Sequence, residues 1–169
     1  MAPRTLVVVR HCKAERQAPT DFERRLSDRG RADGTALGSW LAEQGVHADA
    51  ALVSAAQRTD ETWDVVSAAA GWTCRPRLSR TLYLADEDGV LTQLREVDED
   101  ARTVVVVGHN PTMHALAVWL DDGDGDAEAR AAIASSYPTS AATVLDVNVA
   151  WADLAPGAAT VRAVHVGRG

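Results

Sequence analysis

Two short apolar runs constrain this chain more than anything else in it. Leu6-Val7-Val8-Val9 and Thr103-Val104-Val105-Val106-Val107 are β-branched and unbroken by charge, the pattern of strands buried on both faces rather than strands alternating between core and water. Such strands need helices above and below them. Ala51-Leu52-Val53 is a weaker third run. Ser27 is placed to cap a helix whose apolar positions Ala32, Leu37, Trp40 and Leu41 recur at helical spacing until Gly45. Thr62, Trp63, Val66 and Ala69 or Ala70 share one face of a second helix that stops at Gly71, and Val90, Leu91, Leu94 and Val97 do the same in a third. Pro111 suits the first turn of a fourth, with Met113, Leu116, Ala117 and Leu120 behind it. The alternation predicts an α/β protein, a three-layer α/β/α sandwich around a mostly parallel central sheet. Beyond an Asp/Gly-rich stretch at 121–126, the sequence reads as a short Ala-rich helix and then two strands, 142–149 and 160–166. Joined through Pro156-Gly157, these form an expected hairpin at one sheet edge.

The chain has 169 residues, 46% of them hydrophobic and 24% charged, an ordinary composition for one globular domain spanning 1–169. No internal repeat or linker divides it. With 24 acidic against 17 basic side chains and a formal net charge of -7, it is not built to grip a nucleic acid backbone, which requires phosphate neutralisation over an extended surface. A small basic pocket is still open to it. Lys13 is the only lysine, so nearly all positive charge is arginine, whose planar fork suits phosphate. The apolar run at 6–9 is too short for a signal peptide or a membrane span. Cys12 and Cys74, the only cysteines, cannot make a disulfide framework, and the expected location is the cytoplasm.

Ligands of open α/β sheets bind beyond the carboxyl ends of the strands. There the sequence places Arg10-His11 after the first run, Arg58 at a helix start after the 51–53 run, and Gly108-His109-Asn110-Pro111 after the 103–107 run. Any one of these residues alone reads as a solvated or capping side chain. Together, two guanidinium groups and an imidazolium can hold the equatorial oxygens of a phosphoryl group while a neutral histidine attacks phosphorus. Such a nucleophile needs its other ring nitrogen held as a donor.

Arg10-His11 directly after an N-terminal hydrophobic strand resembles the histidine phosphatase superfamily, whose signature is Arg-His-Gly and which includes the phosphoglycerate mutases. The stretches Leu6 to Glu15 and Asp21 to Gly30, the Ser54-Ala55-Ala56-Gln57-Arg58-Thr59-Asp60-Glu61-Thr62 block and Gly108-His109-Asn110-Pro111 are similar, in order, to its SixA-type phosphohistidine phosphatase branch. The likeness covers residues 5 to about 120 and, more loosely, Tyr137-Pro138-Thr139-Ser140-Ala141. It implies a phosphoglycerate mutase-like fold and a metal-independent, cofactor-free phosphatase. His11 is then the transiently phosphorylated nucleophile, with Arg10, Arg58 and His109 forming the phosphate pocket. The implied partner is a phosphorylated protein bearing phosphohistidine, or a small phosphate-bearing substrate. A metabolite phosphomonoesterase of the same superfamily and a non-catalytic phosphate-binding module are the alternatives.

Two departures qualify the likeness. Cys12 stands where the superfamily has glycine and reads as a packing residue. The mutase-like members carry a glutamate general acid after the third strand, whereas Thr81-Leu82-Tyr83-Leu84-Ala85 has none. Asp86, Glu87 and Asp88 follow, one of which could swing in, but they read first as an acidic helix start. A missing acid favours a P–N substrate, because an alkoxide leaving group depends on protonation far more than the leaving group of a labile phosphoramidate. Arg24 could add charge at the rim.

Other constellations are weaker. Cys74 and Arg80 have the spacing of a tyrosine-phosphatase loop, but Arg75-Pro76-Arg77-Leu78-Ser79 lacks glycine and loses an amide to proline. Asp122, Asp124 and Asp126 begin like a calcium loop that then fails at Ala127 and Ile133.

Overall fold

A computed structural model describes residues 3–169. Its sheet has six strands, β1 (Arg4–Arg10), β2 (Ala50–Ser54), β3 (Pro76–Ser79), β4 (Thr103–Gly108), β5 (Ala141–Val147) and β6 (Ala159–Val166), in the order β3-β2-β4-β1-β5-β6. The pairings from β3 through β1 are parallel, and β5 and β6 add antiparallel to β1 and to each other. The helices are α1 (Asp28–Glu43), α2 (Gln57–Ala70), α3 (Glu87–Arg95), α4 (Thr112–Leu120) and α5 (Ala127–Ser135). None among the described residues is long and apolar enough to cross a membrane.

The unbroken apolar runs have a direct cause in this architecture. Successive residues of a strand point to opposite faces, and both faces of this sheet are covered. Val7, Val9, Val53, Val105 and Val107 pack against Leu37, Leu41, Trp63 and Val66 of α1 and α2. Leu6, Val8, Leu52, Val104 and Val106 pack against Val90, Leu91, Leu94, Met113, Leu116 and Ile133 of α3, α4 and α5 on the other side. Each fully buried Val or Leu of this kind contributes about 1.5–3 kcal/mol relative to exposure.

Helix ends follow local chemistry. The Ser27 side chain accepts from the Gly30 N–H at 3.0 Å and so caps α1. Gly71, at φ 74°, closes α2 in the left-handed conformation that glycine adopts without strain. The carboxylates of Asp86 and Asp126 cap α3 and α5.

The edge strand β3 has no counterpart among the runs legible in the sequence. It begins at Pro76 and exposes Arg77 and Leu78, which suits an edge, where proline and charge are tolerated, but gives no apolar signal. The C-terminal hairpin forms as expected, with β6 at the edge and β5 ending at Val147.

Between β1 and β4 the connections diverge. α1, which follows β1, lies on one face, and α4, which follows β4, lies on the other. The carboxyl ends of these adjacent strands therefore open a crevice, the usual binding point of such sheets.

Candidate active site

Arg10 pairs in register with Gly108 across β1 and β4, so His11 and His109 leave two adjacent parallel strands side by side. The His11 N–H donates to the Gly108 carbonyl at 3.0 Å, and the ring centroids are 5.4 Å apart. On the far side of β4, Val53 of β2 stands opposite Val107, which brings Ser54 and the first turn of α2, with Arg58, to the same end of the sheet. All four residues named from the sequence thus stand at this end, on three neighbouring strands or the helix that follows.

The His11 ring is buried, and its Nδ1 lies 2.7 Å from the Cys12 carbonyl. A carbonyl only accepts, so Nδ1 carries the proton and Nε2 keeps its lone pair. Burial, with the nearby charges of Arg58 and Arg10, pushes the ring pKa down to about 4 against the pull of the Cys12 carbonyl. The histidine is therefore neutral throughout the physiological range.

The backbone around it is tied from several directions. The Cys12 N–H donates to Thr62 Oγ1 at 3.0 Å, and the Lys13 carbonyl accepts from both the N–H and the hydroxyl of Ser27 at 3.0 and 3.1 Å. Gly30 packs so tightly on this turn that a Cβ would lie 2.0 Å from the Lys13 oxygen. The His11 carbonyl accepts from Ser140 N–H at 3.2 Å. Ser140 has φ 64°, the one non-glycine positive φ among the described residues, a local strain of the kind that clusters at functional sites. The Tyr137 carbonyl accepts from Arg10 Nη1 at 3.1 Å and from Asn110 Nδ2 at 2.8 Å.

His109 is held by Ser54, whose Oγ is 2.8 Å from Nε2 and also receives the Ala56 N–H at 3.4 Å. The hydroxyl accepts from that amide and has its own proton to give to His109 Nε2; in that tautomer the ring proton resides on Nδ1. Burial, then the charges of Arg58 and the adjacent His11, lower this ring to about 3. Burial therefore works against the expected imidazolium at His109, and the standing positive charge belongs to the arginines.

Arg58 is buried, yet both terminal nitrogens are engaged by Asp21, a residue of the 3-10 turn Asp21–Glu23. Nη1 donates to its carbonyl at 2.8 Å and Nη2 to its carboxylate at 3.1 Å. Tyr83 O–H donates to the same carboxylate. At this end of the sheet, the buried Arg10 Nε, Arg58 Nε and His109 Nδ1 have no hydrogen-bond partner among the described residues. Buried polar groups are almost always satisfied, so three orphans in one neighbourhood are a reason to expect an anion there.

Asp21, Tyr83, Ser54 and the Tyr137 carbonyl were not singled out by the strand-end reasoning. Ser54 had a usable signal, since it is the last residue of β2, but the others reach the site through tertiary contacts alone. Arg24 lies at the mouth, where it donates to Asp21 at 3.1 Å and to the Glu15 carbonyl at 2.8 Å.

The competing features fall elsewhere. β3 runs between Cys74 and Arg80, which holds them apart at opposite ends of an extended segment. Burial raises the Cys74 pKa, the wrong direction for a nucleophile. The Asp86 carboxylate accepts from Gly89 N–H at 2.9 Å as the cap of α3. A hollow of about 230 Å³ adjoins His109, walled by Tyr83, Leu84, Asn110 and Thr112. Another of about 450 Å³ between α4 and α5 is lined by alanines and the Asp121–Arg130 pair, with none of the four site residues in its wall.

An α/β/α sandwich of phosphoglycerate mutase-like fold, with Arg-His ending its first strand and a second histidine ending the strand beside it, defines a class of phosphate-handling enzymes. The model of the histidine phosphatase superfamily (branch 1) matches residues 6–82, and the chain belongs to that superfamily, in its SixA-type branch. It is similar to the uncharacterized protein Rv1276c of Mycobacterium tuberculosis, with 35% identity over 162 residues that cover 95% of this chain and 100% of that one. Among solved structures it is similar to a SixA protein of Nakamurella multipartitia assigned as a phosphohistidine phosphatase, at 32% identity and TM-score 0.88, covering 99% of this chain and 98% of that chain. A SixA protein of Agrobacterium tumefaciens with the same assignment matches at 29% identity and TM-score 0.76, over 87% and 94% of the two chains. Family and neighbours together support phosphatase activity.

Proposed function

We propose that this chain is a phosphohistidine phosphatase working through a covalent intermediate on His11, with Arg10, Arg58 and His109 as the phosphate pocket. One observation carries the reading: His11 Nδ1 is committed to the Cys12 carbonyl while the orphaned Arg10 Nε, Arg58 Nε and His109 Nδ1 surround the same strand ends. In the first step His11 Nε2 forms a bond to phosphorus as the bond to the leaving group breaks. The transition state spreads charge over three equatorial oxygens, which the two guanidinium groups and the His109 N–H are suited to receive. In the second step water takes the phosphoryl group from His11. A dianionic phosphate would also draw a proton toward His109, against the depression that burial imposes.

The choice of phosphohistidine rests on the absence of a poised acid and on the form of the site. The carboxylates nearest in sequence to the expected acid position cap α3 or lie on its first turn. The hollow beside His109, walled by Tyr83, Leu84, Asn110 and Thr112, is partly open to solvent, which suits a side chain presented by a protein. The free cysteines agree with work in a reducing cytoplasm.

A panel of a phosphohistidine peptide and several phosphate monoesters tests this, with His11→Ala as control and with trapping of labelled phosphate on His11. The expected result is preferred turnover of the peptide, label on His11, and loss of both in the variant. Preference for the monoesters would overturn the substrate assignment and favour a metabolite phosphatase. Label that survives His11→Ala would overturn the mechanism.

A further inference from the structure

Asp21 is the acidic residue that the described hydrogen bonds bring onto the proposed pocket. Its Oδ2 accepts from Arg58 Nη2 at 3.1 Å and from the Tyr83 hydroxyl, and its Oδ1 accepts from Arg24 Nη1 at 3.1 Å. Tyr83 stands edge-on to the His109 ring, with centroids 5.4 Å apart, and so ties the carboxylate to the His109 side of the site. The Asp21 side chain remains 53% exposed. An ionised carboxylate offers about four acceptor positions. Three are taken, and the fourth, on Oδ1, is left for a donor arriving from solvent.

This carboxylate is not an acid. The Tyr83 hydrogen bond, and after it those of Arg24 and Arg58, hold its pKa well below the usual carboxylate range, so at neutral pH it has no proton to give. What it can do is accept. The question is which phosphorylated group carries a hydrogen-bond donor one ring away from phosphorus.

We propose that Asp21 is a specificity-determining residue that accepts the N–H of a phosphoimidazole ring, selecting substrates whose leaving group is an imidazole. The inference rests on the phosphohistidine reading above. The chemistry balances without a proton donor. His11 Nε2 supplies the electron pair for the new P–N bond. The old P–N bond breaks, with its pair going to the substrate ring nitrogen. A ring protonated on its other nitrogen leaves as neutral imidazole, with that N–H intact. An unprotonated ring would have to leave as an anion. By accepting the distal N–H, Asp21 favours binding of the protonated form. A monoester offers no such donor and meets only an unreceptive negative charge.

Asp21→Asn, assayed on phosphoimidazole and on p-nitrophenyl phosphate, tests this. The readout is the ratio of the two kcat/KM values. Weakening of Arg58 by the substitution acts on both substrates and cancels in the ratio. A lost charge-assisted hydrogen bond predicts that phosphoimidazole selectivity falls at least tenfold. An unchanged or increased ratio overturns the role of Asp21 and leaves the phosphatase reading standing. A wild-type enzyme that hydrolyses p-nitrophenyl phosphate but not phosphoimidazole or a phosphohistidine peptide overturns both the role of Asp21 and the phosphohistidine assignment.

Discussion

The imidazole rings of His11 and His109 lie 5.4 Å apart at the ends of adjacent parallel strands, and each is pushed well below the ordinary histidine range, to about 4 and about 3. Burial is the first cause in both, and the shared Arg58 charge adds to it. Neither ring should titrate between pH 5 and 8. NMR of the ring C–H signals reads this directly, and an inflection near 6.5 in either would show that the free site is more solvated than its geometry implies.

The same shifts make stability depend on pH with a defined sign. The folded pKa values lie below the unfolded value of about 6.5, so between them the unfolded chain binds protons that the native chain does not. Stability is then fully present above about pH 6.5 and falls as the pH drops toward about 4 for His11 and about 3 for His109. For His11 alone the loss is on the order of 3 kcal/mol. Urea midpoints at pH 7 and pH 4.5 check it, and His11→Gln should flatten the difference.

Replacing Arg58 should separate charge from geometry. Arg58→Ala removes both the proposed phosphate contact and the anchor of Asp21, and kcat is expected to fall by about 10²–10³. Arg58→Lys keeps the charge but loses the fork, so it should recover only a small part of the activity. Unchanged turnover in the alanine variant would remove Arg58 from the pocket.

Ser54→Ala tests the tautomer of His109. The Ser54 hydroxyl is the group that meets Nε2, at 2.8 Å; without it nothing holds the proton on Nδ1, and kcat should drop by roughly tenfold, the worth of one net hydrogen bond. Ring nitrogen chemical shifts should report a mixed tautomer in the variant. A drop in activity with unaltered shifts would assign the effect to packing instead.

Gly30→Ala probes the turn that carries the proposed nucleophile. The added Cβ would sit 2.0 Å from the Lys13 oxygen, and because that atom is backbone, the loop after His11 has to move. Overpacking of this kind costs about 1–3 kcal/mol or more. Calorimetry should find a lowered Tm, accompanied by a fall in kcat that Gly89→Ala, where the nearest atom is a side-chain methyl at 3.2 Å, does not match.

The parts of this molecule legible in its sequence are those written in local patterns. Leu6 to Val9 and the valines of 103–107 announce a doubly covered sheet because each alternate residue meets a different helical layer. Arg10, His11, Arg58 and His109 can be picked out because strand ends gather at one edge. β3 was not legible, since an edge strand beginning with Pro76 carries no apolar signature. Asp21 was quoted only within a motif; its engagement of Arg58, 37 positions away, and of Tyr83, 62 away, depends on how a short turn lies over α2. The depression of the His109 ring was likewise not legible, as desolvation is a property of the assembled site and not of the residue.

The strand that leads into His11 precedes in sequence both of the strands that complete it. β1 has β4 on one side and β5 on the other, so its hydrogen bonds close only after Gly108 and Val147 have been made. On the ribosome, the segment bearing the proposed nucleophile must wait, with both edges unpaired, through most of translation. Contacts of such long sequence separation are slow to form, and an emerging chain with open strand edges is vulnerable to aggregation. The site therefore becomes whole only once the chain through Val147 is available to pair with β1.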